Sequence, residues 1–314
     1  MTVLETKRGA DAKRRYPRSA PRKRQKYSRF DTASAWILLT PALILFIIFI
    51  VIPTLAGFAL SFYQWNFFDA PVFDGLANFA KLAADPAAWL SLGVTLLFVL
   101  LGVIPTILLG FILAVTVNVN MPGVGVLRVL YFVPVVLSVA VSAVLWTFIY
   151  DPRQGPIAAV LRAFGIPSPD ILHSEALAVP ALVLMMIWLA LPVVIILYLS
   201  GLQRVPADIY DAAALDGAGP WRVLWSMTWP NVAGTTFVVA VLQIINFVSS
   251  SLDVSLIMTN GGPLGATRGL SLYAYQQAFV NQDVGYASAL SVLQLIVIVG
   301  IVAVGRLIIR RMNR

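Results

Sequence analysis

The chain has 314 residues, 60% of them apolar and 11% charged, against about a quarter charged in an ordinary soluble domain. A water-soluble fold of this length cannot hide so much apolar surface, so a soluble enzyme is excluded and an integral membrane protein is expected. Zero cysteines exclude disulfides, iron–sulfur clusters and thiolate zinc sites, and one histidine, His173, leaves no imidazole cluster for a metal.

The first segment is a basic tail. Residues 1–34 hold eleven Lys/Arg and three Asp/Glu, whereas the remainder holds eleven of each and is electrically balanced. The stretch Lys13–Arg29, with Pro17 and Pro21 among its basic residues, is expected to be disordered. It reads as an orientation anchor on anionic membrane lipid, and no nucleic acid is expected as a partner. A cleaved signal peptide is not expected, because the basic region is too long and the apolar run that follows exceeds a usual signal core.

A membrane-crossing helix needs about 20 apolar residues. Uncharged tracts that reach this length are Trp36–Tyr63, Pro86–Leu127, Val129–Tyr150, Ala176–Gln203, Val223–Leu252 and Val284–Gly305. The second is long enough for two helices. Its Asn118-Val-Asn120-Met-Pro122-Gly123-Val-Gly125 end is turn chemistry, so one helix of about Trp89–Val117 and a turn are predicted. The expected fold is an all-α integral membrane protein with six transmembrane helices in a domain over 35–310, followed by a short end at 311–314.

Positive residues favour the cytoplasmic side. With the N-terminus inside, the tail, the 118–128 turn, the 201–222 loop and the C-terminal end hold eighteen Lys/Arg. The outer loops hold four: Lys81, Arg153, Arg162 and Arg268. Both ends are therefore expected in the cytoplasm. The outer loops 64–88, 151–175 and 260–285 are acidic or neutral, and His173 reads as a surface residue of the middle one.

The loop at 203–230 carries the most information. Pro206 suits the start of a helix, and Asp208 in its first turn complements the helix dipole. Ala212, Ala213 and Ala214 are strong helix formers of little bulk. Gly217 is placed to stop the helix and Pro220 to start another. A short helix with a small-residue face fits a groove on another protein, or else is an ordinary hairpin between spans.

At these residues the chain resembles the importer permeases of the ATP-binding-cassette superfamily, whose cytoplasmic EAA motif runs Glu-Ala-Ala, three residues, Gly, nine residues, Ile-x-Leu-Pro. Asp211-Ala212-Ala213 and Gly217 fall in register, and Met227-Thr-Trp229-Pro230 follows nine residues after the glycine. Asp for Glu, Met for Ile and Trp for Leu keep charge sign and apolar character. Further matches run from Leu39-Thr-Pro41-Ala and Leu60-Ser-Phe-Tyr-Gln-Trp65 through Tyr131-Phe-Val-Pro134 and Gly201-Leu-Gln-Arg-Val-Pro206. They continue in Met258-Thr-Asn-Gly-Gly-Pro263, Leu270-Ser-Leu-Tyr273-Ala-Tyr275 and Gly285-Tyr-Ala-Ser-Ala289. They point to the carbohydrate branch, the binding-protein-dependent sugar permeases similar to the maltose and glycerol-3-phosphate systems.

The resemblance implies a type I importer architecture in the plasma (inner) membrane of a prokaryote. It implies a second homologous permease subunit, a cytoplasmic ATPase dimer and an extracytoplasmic solute-binding protein that meets the outer loops. ATP and Mg would sit in the ATPase, with no cofactor in this chain and no enzyme activity of its own; no GxxxxGK[ST], HExxH or GxSxG pattern occurs. The coupling helix between spans four and five, with Tyr210, Asp211, Ala212, Ala213, Leu215, Asp216, Gly217 and Ala218, would dock in a groove of the ATPase. Its movement would switch the pore between inward- and outward-facing states.

A solute path needs polar groups facing a cavity. The fifth span offers Gln243, Asn246, Ser249, Ser250 and Asp253, with Gln243, Asn246 and Ser250 on one helix face. The same face would also serve hydrogen bonds between helices. Asp253 lies near the outer end, where a structural or gating role competes with binding. On the third span Ser138, Ser142 and Trp146 follow at one-turn spacing, and Trp146 is either a sugar-facing ring or a core residue. Positions that line the sugar pocket of the maltose-type permeases are apolar here, namely Val135, Val139, Met186, Ala190 and Val193. The solute is then held mainly by the partner subunit, or the site is a slippery passage.

Three other readings make different demands on the sequence. An ion-coupled secondary transporter would show repeats and several buried ionisable groups, a membrane-embedded enzyme would need a nucleophile–base or metal constellation, and a glycerol-3-phosphate or similar phosphate permease would favour cations in the path. The coupling reading predicts that Gly217→Pro or Ala213→Arg abolishes solute uptake while the complex still inserts in the membrane, measured by uptake assay and membrane fractionation.

Overall fold

The structure is a computed structural model that describes residues 29–118 and 124–312. Most of the basic tail and the tip of the turn after residue 118 lie outside the described residues. The chain divides into compact units at 1–53 and 54–314. In the first, a helix starts at Arg29 and widens to a π-helical turn over Ile47–Val51. Thr40 donates its hydroxyl to the Trp36 carbonyl at 2.7 Å, so this polar side chain is satisfied within its own helix.

Among the described residues, five helices are long and apolar enough to cross a membrane: α1 (Trp36–Leu60), α3 (Pro86–Val117), α7 (Ala178–Leu202), α10 (Ala233–Met258) and α12 (Val284–Leu307). Between α1 and α3 lie a two-stranded hairpin, β1 (Tyr63–Gln64) paired with β2 (Val72–Phe73), and the short helix α2 (Ala77–Ala84). The third tract is not one straight span. Residues Val129–Val136, at the end of α4 (Val124–Phe132) and its 3₁₀ extension, meet α5 (Val139–Ile149) at 112°. Leu137 is extended and Ser138 caps the new helix, its Oγ accepting the Val141 amide at 3.3 Å. Among the described residues the candidate spans are thus five helices and one bent pair. After α5 come α6 (Pro156–Ala163) and then α7.

The fifth span is also displaced from its predicted limits of Val223–Leu252. Residues 220–231 form a separate helical run, α9, with a π-helical stretch at Val223–Thr228, and α10 begins at Ala233. Pro230 lies within this run; it lacks an amide hydrogen and its ring crowds the carbonyl four residues back, which falls in the π-helical stretch. The run ends two residues later at Val232 with φ −100° and ψ 12°.

Within the second unit, α3, α7 and α10 form the core. Phe98, Leu182, Met185, Met186 and Phe247 are buried together along its middle. Gly102 makes this possible, since a Cβ there would fall 2.1 Å from Cε1 of Phe247. At one end Asp85 caps α3 by accepting the Ala87 amide at 2.9 Å. It also accepts the Tyr273 hydroxyl at 2.6 Å and the Tyr286 hydroxyl. Tyr273 belongs to α11 (Leu270–Tyr275) and Tyr286 to α12, so one carboxylate fastens three elements. Burial pushes this carboxyl up, but the two phenols and the amides of Ala87 and Ala88 outweigh it, leaving it below its ordinary value of 3.8.

A carboxyl held low in the folded state stabilises the fold above its unfolded pKa, and that contribution is lost as pH falls through the lowered value. Asp85→Ala leaves two buried phenols without an acceptor and α3 without its cap. A loss on the order of 3 kcal/mol is expected, read as a lower thermal midpoint of the purified complex at neutral pH.

Candidate functional site

Two regions stand out: a cavity between the spans and the loop that joins α7 to α10. The cavity encloses about 210 Å³ between the bent pair, α7 and α10. Pro134, Val135, Leu137 and Val139 line it from the bend, Met186, Leu189 and Val193 from α7, and Asn246, Ser250 and Val254 from α10. Asn246 donates to Gln243 Oε1 at 3.4 Å, and Ser250 donates to Asn246 Oδ1 at 3.3 Å. The predicted polar face is therefore a short hydrogen-bonded chain, with Gln243 buried at its inner end and Asn246 and Ser250 on the cavity. No Lys, Arg, Asp or Glu lines this space.

The structure brings Val135, Val139, Met186 and Val193 together with Asn246 and Ser250. Ala190 is buried beside them but does not reach the cavity. Ser249 and Asp253 are exposed on α10 outside this lining. Ser138 is occupied as the α5 cap, while Ser142 is fully buried and its Oγ has no hydrogen-bond partner. Trp146 packs its ring 5.8 Å from that of Trp188 and 5.3 Å from that of Tyr150, as a core residue. Residues before and at the break line the cavity, together with Val139 at the start of α5, and the helix then carries Ser142 and Trp146 away from it. Pro134 stands in the Tyr131-Phe-Val-Pro134 motif and is findable from it. Leu189 and Val254 follow Met186 and Ser250 at three- and four-residue spacing and share their helix faces, whereas Leu137 carries no such signal, because only the bend brings it to the cavity.

The loop contains α8 (Ala207–Leu215). Pro206 stands just before it with ψ 137° and Asp208 lies in its first turn. Gly217, at φ 67°, ends it. The Ala218 amide donates to the Ala213 carbonyl at 2.9 Å and the Gly217 amide to the Ala214 carbonyl at 3.1 Å, the paired bonds of a Schellman stop that a left-handed residue permits. Ala213 is buried, whereas Asp211, Ala212, Asp216 and Gly217 are exposed and Tyr210 and Ala218 are half-buried. Leu215 is 90% exposed, an apolar side chain held in the open on a rigid, capped helix.

At the Asp85 end lies a third, polar cleft of about 460 Å³ with Trp65, Asn66, Asp69, Asp74, Lys81 and Asp283 on its walls. Lys81 and Asp283 form an ion pair. His173 is exposed with Nδ1 2.9 Å from Asp170. Among the described residues no cluster of acids and histidine is arranged to hold a metal.

Comparison with known proteins agrees with this arrangement. The chain is 31% identical over 275 residues to the multiple sugar-binding transport system permease protein MsmF of Streptococcus mutans, covering 86% of this chain and 92% of that one. It is 29% identical over 264 residues to the trehalose/maltose transport system permease protein MalF of Thermococcus litoralis, covering 84% and 89%. Its fold matches a chain of a bacterial ABC transporter involved in the import of the acidic polysaccharide alginate, with a TM-score of 0.77 at 20% identity over 91% of this chain and 99% of that one. Residues 27–314 match the family described as the binding-protein-dependent transport system inner membrane component, and to that family of permeases the chain belongs.

Proposed function

We propose that the chain is one of two permease subunits in an ATP-driven importer that passes a neutral sugar from an extracytoplasmic binding protein to the cytoplasm by alternating access. The cavity carries this reading. It sits among the spans, its wall is apolar, and Asn246 and Ser250 supply its only polar side chains. An uncharged, hydroxyl-rich solute finds there a few hydrogen bonds and no strong trap, which suits passage better than storage. The absence of a cation from the lining favours such a solute over a phosphate or a sugar acid.

The Lys/Arg distribution supports a cytoplasmic position for α8 and for both chain ends. There α8 docks on the ATPase through Leu215 and the exposed face around Asp211 and Ala212, while ATP and Mg remain in that partner. The second permease subunit closes the pore from the other side. The polar cleft at the Asp85 end then faces the binding protein, with Trp65 and the Lys81–Asp283 pair on the docking face.

The test is reconstitution in vesicles with the ATPase, the second permease and the binding protein, following a panel of radiolabelled neutral sugars. Uptake is expected only with Mg-ATP, and uptake without nucleotide by this chain alone contradicts the reading. Asn246→Leu is expected to lower uptake about tenfold, the loss of one or two hydrogen bonds to solute, with ATP hydrolysis kept. Leu215→Asp changes a side chain that is already exposed, so the chain should fold while its co-purification with the ATPase falls about tenfold or more, as for a buried apolar anchor.

A further inference from the structure

The coupling segment is not joined to the bundle by unbroken helix. Toward α7 the chain passes through the turn at 203–206. Gly217 separates α8 from α9, and the break at Val232 separates α9 from α10. The π-helical stretch Val223–Thr228 interrupts α9 itself. A displacement of α8 therefore meets backbone that is irregular at each of these points, although hydrogen bonds continue across Val232 from its amide to Thr228 and from Thr236 to its carbonyl. Side-chain packing adds a second route to the bundle.

That packing is aromatic. Trp221, Trp225 and Trp229 recur every fourth residue along α9, with ring centres 6.1 and 5.6 Å apart. Trp229 meets Phe111 of α3 edge to face at 4.9 Å, and Phe111 meets Tyr198 of α7 edge to face at 5.6 Å. Exposure falls along this ladder from 70% at Trp221 and 38% at Trp225 to none at Phe111 and Tyr198. The Tyr198 hydroxyl donates to Thr236 Oγ1 on α10 at 3.2 Å. The rings thus begin on the helical run that follows α8 and end on α3, α7 and α10, and the last two carry most of the cavity wall. Rings are rigid plates, and close-packed interiors transmit strain with little slack.

We propose that the ladder Trp221–Trp225–Trp229 converts movement of α8 into a shift of α7 against α10 around the cavity, with Trp225 and Trp229 as positioning residues for transport. This rests on the reading of α8 as the ATPase contact. A ladder that served only to anchor α9 among lipid headgroups would be indifferent to nucleotide.

The chain has no cysteine, so Val193→Cys is a single thiol reporter on the cavity wall. In the full complex with the ATPase, second permease and binding protein in vesicles, labelling of that thiol by a water-soluble maleimide is followed with and without Mg-ATP. With the ladder intact, Mg-ATP should change the labelling rate. Adding Trp229→Leu should shrink that response at least about fivefold, as expected for loss of a coupling contact, while ATPase co-purification and ATP hydrolysis persist. Trp229→Phe, which keeps a ring, should restore most of it. An unchanged response in Trp229→Leu overturns the proposal. So does a defect that Trp229→Phe fails to relieve, or one that only follows the amount of complex assembled. If Mg-ATP leaves labelling unchanged even with the ladder intact, the coupling reading of α8 fails first, and this is seen before any ladder variant is measured.

Discussion

The seat of Phe247 on Gly102 sets how closely α10 packs on α3. In hydrocarbon no hydrophobic drive draws one apolar helix to another, so helices associate by close packing and by satisfying polar groups. A glycine at 102 lets α10 approach α3 until a ring rests on bare backbone, where any Cβ would collide. α7 closes the group, with Met185 and Met186 buried against the same core. With Phe247 fixed toward α3, the neighbouring Asn246 and the next-turn Ser250 fall on the side of α10 where the cavity opens. The position of the polar side chains follows from a contact that involves none of them.

The two ends of the bundle are closed by different chemistry. At one end the Asp85 carboxylate binds two phenols from two other elements, and the Leu270 amide donates to Thr95 Oγ1 at 2.8 Å. Such bonds are directional, so this end holds one geometry. At the other end rings meet edge to face, with a single hydroxyl pair between Tyr198 and Thr236. Ring packing passes a small displacement from one helix to the next without leaving a polar group unpaired, as shear between packed helices requires. A permease driven from its loop end is consistent with that asymmetry, since the rigid end then serves as the fixed frame.

Much of the fold was legible from residue order. Apolar tracts bounded by charges marked α3, α7 and α12 to within a few residues, whereas α10 starts ten residues later and ends six residues later than its tract. Pro206, the alanine run and Gly217 marked α8 with its stop. The spacing of Gln243, Asn246 and Ser250 put them on one face, and the structure links them by hydrogen bonds. The bend at Leu137–Ser138 was not legible, because an apolar tract looks the same whether it runs straight or folds at 112°. The bend also decides between the two readings of Trp146, whose ring packs on Trp188 against the core, and Ser142 on the same helix is buried away from the cavity. The Asp85 cluster escaped for another reason: its partners stand 188 and 201 residues away.

Composition and periodicity settle what lies in the membrane, where helices stop and which faces are polar, because hydropathy, turn chemistry and helical spacing act between residues close together in the chain. Which of those faces encloses a cavity, which serine is a cap and which tryptophan joins a ladder were decided only when α3, α7 and α10 came into contact. Those outcomes depend on van der Waals distances between helices far apart in sequence, and no local pattern encodes them.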